Sequence, residues 1–291
     1  MLTANNLGKK YKHTWALEPI SLTLDRGMHG LLGPNGAGKS TLMRLFAGLL
    51  VPTTGDAMLH GSSVRSGNQV RQQIGYVPQT FQMFPQLTAR QWLLHVARLK
   101  NIGTKREREA EAERLLRAVQ LESKADLPAR SYSTGMVKRL GIAQALVGSP
   151  QIIIVDEPTA GLDPEERIRL RNVLVELAQS SVVLFSTHVL SDVDMSCRDV
   201  IVLGAGKLHY NGKLEGLAEY ASGKLWEWEA SEHEWRAIAQ EQLLTARRTA
   251  DGIRCRTIAD LPPTPYAAAV VPTMEDGYLA LISSLTIGTK R

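Results

Sequence analysis

Residues 33–41 read Gly-Pro-Asn-Gly-Ala-Gly-Lys-Ser-Thr. Gly33, four further residues and then Gly38-Lys39-Ser40 have the spacing of a phosphate-binding loop. Glycines let backbone N–H groups turn inward around phosphate oxygens with no Cβ in the way. Lys39 supplies a point charge for terminal phosphates, and the Ser40 hydroxyl suits Mg²⁺. A helix beginning here would aim its positive end at the same anion.

A second candidate lies at Gln151-Ile152-Ile153-Ile154-Val155-Asp156-Glu157. Two carboxylates close a short β-branched run, the pattern of a strand buried on both faces of a parallel sheet. Ligands bind beyond the carboxyl ends of such strands. Asp156 could hold Mg²⁺ or its water, and Glu157 could polarise an attacking water. An apolar strand ending in Asp-Glu is common by itself; the phosphate loop gives it meaning.

These groups need elements to place them. Met28–Leu32 reads as a strand entering the loop and Leu42–Leu50 as the helix leaving it. Residues 2–32 are strand-rich, and Gly55–Gly61 reads as another strand closed by turns. Residues 87–121 carry apolar positions at helical spacing. Lys105–Arg114 mixes charge signs as a solvated helix face does. Ser133 is placed to cap a helix starting near Met136.

Residues 131–164 hold Ser-Tyr-Ser-Thr-Gly-Met, then the strand, then Asp-Glu-Pro-Thr-Ala-Gly-Leu-Asp-Pro. In this ordered set the chain, over about residues 1–220, resembles the ATP-binding subunit of an ABC transporter. The resemblance implies an α/β fold: a P-loop NTPase core of the ABC ATPase type with an N-terminal antiparallel β subdomain and a helical subdomain at about 79–130. It implies ATP against Gly33, Pro34, Asn35, Gly36, Ala37, Gly38, Lys39, Ser40 and Thr41, with Tyr11 stacked on adenine. Mg²⁺ would be held by Ser40, Gln79 and Asp156. Glu157, His188 and Gln79 would be catalytic, and Asp163 would lie in the D-loop. Tyr132 to Met136 stands at the signature loop, whose Ser133, Thr134, Gly135 and Met136 would act in trans on a second copy, making a homodimer sufficient. Thr134 and Met136 depart from the usual Gly and Gln. This Tyr-Ser-x-Gly-Met form resembles the ABC-2 type exporters. The resemblance also implies a transmembrane permease partner, seated near Gln79–Leu87, and a place on the cytoplasmic face of the membrane.

Of the 291 residues, 44% are hydrophobic, enough for a sizeable core. No apolar run reaches the roughly 18 residues of a membrane span, and Met-Leu-Thr-Ala-Asn-Asn shows no signal-peptide pattern. A soluble chain that borrows its spans is expected. Cys197 and Cys255 match no metal or redox spacing and are expected as free thiols. The net charge of +5 is modest and does not demand nucleic acid. The alternative, a soluble ABC-type ATPase acting on nucleic acid or the ribosome, would call for a basic tail or coiled-coil insertion, which the sequence lacks. A switch without turnover is opposed by Glu157 and His188.

Composition shifts at Ser222-Gly223, so the domains are expected as 1–222 and a small α+β appendage at 223–291. There Leu225–Ala230 alternates as a strand, Ser231–Leu243 reads as a capped helix and Arg247–Ile258 as a hairpin about Asp251-Gly252. Ala267–Val271 reads as a strand and Thr273–Ser284 as a closing helix. Trp226, Trp228 and Trp235 could form either an aromatic binding surface or core.

Overall fold

The computed structural model describes residues 1–194, 196–238, 243–250 and 252–287, with side chains through Ser284. The end of the helical pattern expected at 231–243, residues 239–242, lies outside them, as does Asp251 of the expected turn. The chain divides into two compact units, Met1–Asn211 and Gly212–Arg291.

The first unit is built on a six-stranded sheet in the order Lys207–Lys213, Asp199–Gly204, Gly27–Leu32, Val182–Thr187, Ile152–Val155, Ile74–Val77. The last five pair in parallel. Every residue of Ile152–Val155 and of Val182–Thr187 is buried, as continuous β-branched runs require in a sheet covered on both faces. The phosphate-loop helix, Lys39–Phe46, packs against an antiparallel sheet ordered Thr14–Leu24, Leu2–Tyr11, Thr54–Leu59, Ser62–Ser63. In the strand Thr14–Leu24, Ile20, Leu22 and Leu24 alternate with exposed residues, so period two turns one face inward. Leu2, Leu17, Leu42, Phe46, Ile154 and Leu184 share the resulting core.

Within the expected helical stretch, 79–88 is irregular, and the helices are Ala89–Leu99 and Lys105–Ala118. Each opens with a capping box, Thr88 with Gln91 and Thr104 with Glu107, which satisfies two otherwise free amide groups at the helix start.

The second unit holds an antiparallel sheet ordered Thr245–Arg248, Ile253–Ile258, Leu225–Ala230, Ala268–Ala269. Trp228 is buried beside Ala230 and Cys255, and Trp235 packs against them. The Trp226 indole N–H donates to the Ala259 carbonyl at 2.9 Å. These tryptophans therefore serve the unit's own packing.

The division falls ahead of the Ser222-Gly223 composition shift, and the reason is local. The helical turns Leu214–Ala221 pack on the closing helix Met274–Ile287 so tightly that a Cβ at Gly277 would lie 1.9 Å from the Leu217 carbonyl oxygen. Leu214, Leu217 and Ala221 are buried there. A chain ending at Lys213 is expected to fold and bind nucleotide. One ending at Ser222 keeps Leu214 and Leu217 without their cover, and exposing each costs about 1.5–3 kcal/mol of burial. Thermal unfolding and soluble yield of the two chains measure the difference; equal behaviour would move the boundary back to Ser222.

Candidate functional site

Four neighbouring parallel strands end on one edge of the sheet, and each delivers part of the site. Gly27–Leu32 runs into the phosphate loop, Ile74–Val77 into Gln79, Ile152–Val155 into Asp156 and Glu157, and Val182–Thr187 into His188. Parallel strands lie about 4.8 Å apart, so side chains just past their carboxyl ends are gathered along one edge.

The loop bends as its glycines allow. Gly38 caps the helix at φ +101°, and a Cβ there would lie 2.6 Å from the Ala16 carbonyl oxygen. At Gly33 a Cβ would lie 2.2 Å from the Leu203 carbonyl oxygen. No side chain caps this helix, so its first amides stay available to an anion. Lys39 is buried and donates to the Gly33 and Pro34 carbonyls at 2.7 and 3.1 Å. Burial holds its pKa below the usual lysine value, against the opposing pull of Glu157 and Asp156. A cation kept in so dry a place is suited to an anion with several negative oxygens.

The loop lines a cleft of about 400 Å³ formed by Asn35 through Thr41 with Ala16, Gln79, Glu157 and His188. Gln79 Nε2 donates to Glu157 Oε2 at 2.9 Å, and His188 Nδ1 lies 3.9 Å from Glu157 Oε1. Glu157 has φ +47°, in the left-handed region. Such backbone costs about 1–3 kcal/mol and persists only where neighbours enforce it. Its N–H donates to Ser186 Oγ at 2.8 Å, while Ser186 donates its own hydroxyl proton to Asp156 Oδ1 at 2.6 Å. Asp156 is buried and does not itself line the cleft.

Other expected site residues stand apart. Tyr11 ends the strand Leu2–Tyr11, half exposed beneath the Lys9 ammonium at 5.2 Å, and is absent from the cleft wall. Ser133 caps the helix Thr134–Leu146, its Oγ accepting from the Met136 N–H at 3.2 Å. Ser133 and Thr134 are exposed, whereas a Cβ on buried Gly135 would lie 2.3 Å from Glu166 Oε2. Asp163 caps the helix Pro164–Ala178, accepting from the Glu166 N–H at 2.8 Å. Ser133–Met136 and Asp163 all lie outside this cleft within one chain. The sequence reading missed Ala16 and Ser186: Ala16 has no chemical signature, and Ser186 is one of two hydroxyl residues that close an apolar strand.

A strand, a glycine loop with a buried lysine and a helix, facing two carboxylates across a parallel sheet, define a P-loop nucleotide-binding protein. More narrowly, the chain belongs to the ATP-binding proteins of the ABC transporter family. The ABC transporter family model matches residues 17–160. The ABC transporter ATP-binding protein YxlF of Bacillus subtilis is 37% identical over 220 residues, 75% of this chain and 73% of that protein. The Nod factor export ATP-binding protein I of Sinorhizobium fredii is 38% identical over 224 residues, 75% of this chain and 64% of that one. The probable multidrug ABC transporter ATP-binding protein YbhF of Escherichia coli is 33% identical over 258 residues, covering 87% of this chain and 44% of its own. A dimeric ATP-binding cassette solved in a post-hydrolysis state with ADP and Pi superposes with a TM-score of 0.67 at 28% identity, over 74% of this chain and all of that one.

Proposed function

We propose that this chain binds and hydrolyses ATP and that two copies, closing head to tail, drive export by a partner membrane permease. The observation that carries the reading is the convergence of Gln79, Glu157 and His188 on the cleft formed by the phosphate loop. The loop amides and Lys39 would hold the phosphates. Glu157 would take a proton from the attacking water, and Gln79 would orient it. His188 and Lys39 would stabilise charge as it develops on the transferred group. Tyr11 would stack on adenine. Ser40, Asp156 and Gln79 offer the hard oxygen donors that suit Mg²⁺, which neutralises phosphate charge when bound. Ser133, Thr134, Gly135 and Met136 of one copy, with Asp163 nearby in its chain, would complete the site of the other. The dimeric cassette with ADP and Pi supports that arrangement by analogy.

No helix among the described residues is long and apolar enough to cross a membrane, which fits a permease in a separate chain. A second cleft, about 660 Å³, is lined by Phe81–Pro85, Trp92, Ala129, Arg130 and Val137. Phe81 and Phe84 meet the Trp92 ring edge-on at 6.4 and 6.0 Å, and Phe84 is 64% exposed. An exposed aromatic groove is suited to an apolar helix of a partner, and on this reading the chain works at the cytoplasmic membrane face. Export is supported by the relatives named for Nod factor export and multidrug transport. The alignment with the latter spans 258 residues, more than the 211 of the first unit, so it includes part of the second.

Phe84→Asp is expected to leave the chain's own ATPase rate within about twofold, and to abolish co-purification of a membrane permease from solubilised membranes, because a charge in an apolar contact cannot be desolvated cheaply. An ATPase-active chain that co-purifies with no membrane protein, or with ribosomes or nucleic acid instead, would overturn the transport reading.

A further inference from the structure

We propose that Lys138 and Ser186 are positioning residues that clamp the backbone of Glu157, Lys138 from the signature helix at its carbonyl and Ser186 from the neighbouring strand at its N–H. Neither belongs to the motifs recognised above. The inference rests on the reading of Glu157 as the base.

The geometry begins with the conformation of Glu157. A left-handed glutamate directs its side chain into the cleft only while its peptide is held there. Ser186, fully buried, accepts its N–H at 2.8 Å and spends its own proton on Asp156. One hydroxyl thereby sets the separation of the two acids. On the other side, the Lys138 ammonium donates to the Glu157 carbonyl at 3.3 Å and to the Ala160 carbonyl at 2.5 Å. Ala160 N–H also reaches the Glu157 carbonyl, at 3.4 Å, so Lys138 braces both ends of one turn.

Among the described residues Lys138 bonds two carbonyls and forms no ion pair with a carboxylate, so its role is not that of a surface salt bridge. Its position explains it. Lys138 lies one turn into the helix Thr134–Leu146, whose first residues are the signature. Within a head-to-tail dimer that end of the helix would grip the other copy's nucleotide. The Lys138 ammonium makes the main chain of Glu157 follow the same helix. The base is then held in register only as the signature helix is held, a tie between the two composite sites carried by one side chain.

The test uses the full chain and separates positioning from folding by comparing kcat with KM. Lys138→Met keeps the stem and removes the donors. It is expected to lower kcat at least about tenfold with KM for ATP within about twofold, since small misplacements of a base cost rate and not ground-state binding. Lys138→Arg, which restores donors, is expected to recover kcat to within about threefold of the parent. Ser186→Ala, which cannot overpack but removes both the acceptor of the Glu157 N–H and the donor to buried Asp156, is expected to show the same kcat-selective loss. A Lys138→Met kcat within about twofold of the parent would overturn the proposal. So would a loss that Lys138→Arg leaves unrepaired, or a fall in kcat accompanied by an equal rise in KM. Glu157→Gln, measured alongside, separates the two levels of inference. If it turns over normally, the base assignment fails and the clamp fails with it. If it is inactive while Lys138→Met and Ser186→Ala are active, only the clamp fails.

Discussion

Glu157→Gln is expected to bind ATP with near-parental affinity and to lose steady-state turnover by about 10²–10⁴-fold, the usual contribution of a positioned base. The amide keeps the side chain's shape. Its oxygen can still accept from Gln79, which now donates to Glu157 Oε2 at 2.9 Å. The backbone bonds to Ser186 and Lys138 do not involve the side chain and survive. What disappears is a carboxylate able to take a proton, together with one of the two negative charges that oppose the desolvation of Lys39. A dimer that accumulates with uncleaved ATP is the expected consequence, detected by size-exclusion chromatography with nucleotide analysis. A turnover rate within about twofold of the parent would remove Glu157 from the role of base.

Lys39→Ala is expected to lose both nucleotide binding and hydrolysis. In the structure Lys39 is 6% exposed, and its ammonium bonds the Gly33 and Pro34 carbonyls. Its removal leaves two loop carbonyls without that donor and leaves the phosphate cluster without its buried cation, and a charge-assisted bond of this kind is about twice as strong as a neutral one. Unchanged affinity and rate would mean the loop does not hold phosphate. The same variant tests the head-to-tail arrangement when mixed with Ser133→Arg. Ser133 is exposed at the tip of its helix, outside its own chain's cleft, so an arginine there should spare nucleotide binding by a single chain. In a mixed dimer one composite site carries both defects and the other carries neither. Partial recovery of ATPase activity on mixing is the expected result. No recovery, with mixed dimers verified, would argue against a signature acting in trans.

Much of the site was legible in the sequence because its signals are local. Gly33 and Gly38 are glycines where the backbone must turn left-handed and lie against other carbonyls. Ser133 is a cap, defined by the residues that follow it within one turn. The apolar run ending in Asp156-Glu157 is a strand whose β-branched content needs no partner to be recognised, and its buried parallel place follows from having no polar face. Each of these properties depends on neighbours a few positions away.

Tertiary structure decided the rest, because those properties depend on contacts between distant segments. Gln79 and Glu157 are 78 residues apart in sequence and bonded in space. Their meeting follows from the strand order, in which Ile74–Val77 lies beside Ile152–Val155. The same order places His188 Nδ1 within 3.9 Å of Glu157 Oε1. Tyr11 ends a strand of the separate antiparallel sheet and is absent from the cleft wall that Ala16 helps to form. The compact units divide after Asn211, ahead of the composition shift at Ser222, and Leu214 and Leu217 are buried where their turns pack on the helix Met274–Ile287. The three tryptophans, open in sequence to a surface or a core reading, serve the second unit's packing: Trp228 is buried in its sheet, Trp235 packs on it from the helix Glu232–Ala237, and Trp226 is tied to the Ala259 carbonyl. Ser186 and Lys138 carry no motif, and their role exists only where a strand and a helix bring a hydroxyl and an ammonium to the N–H and the carbonyl of one strained residue.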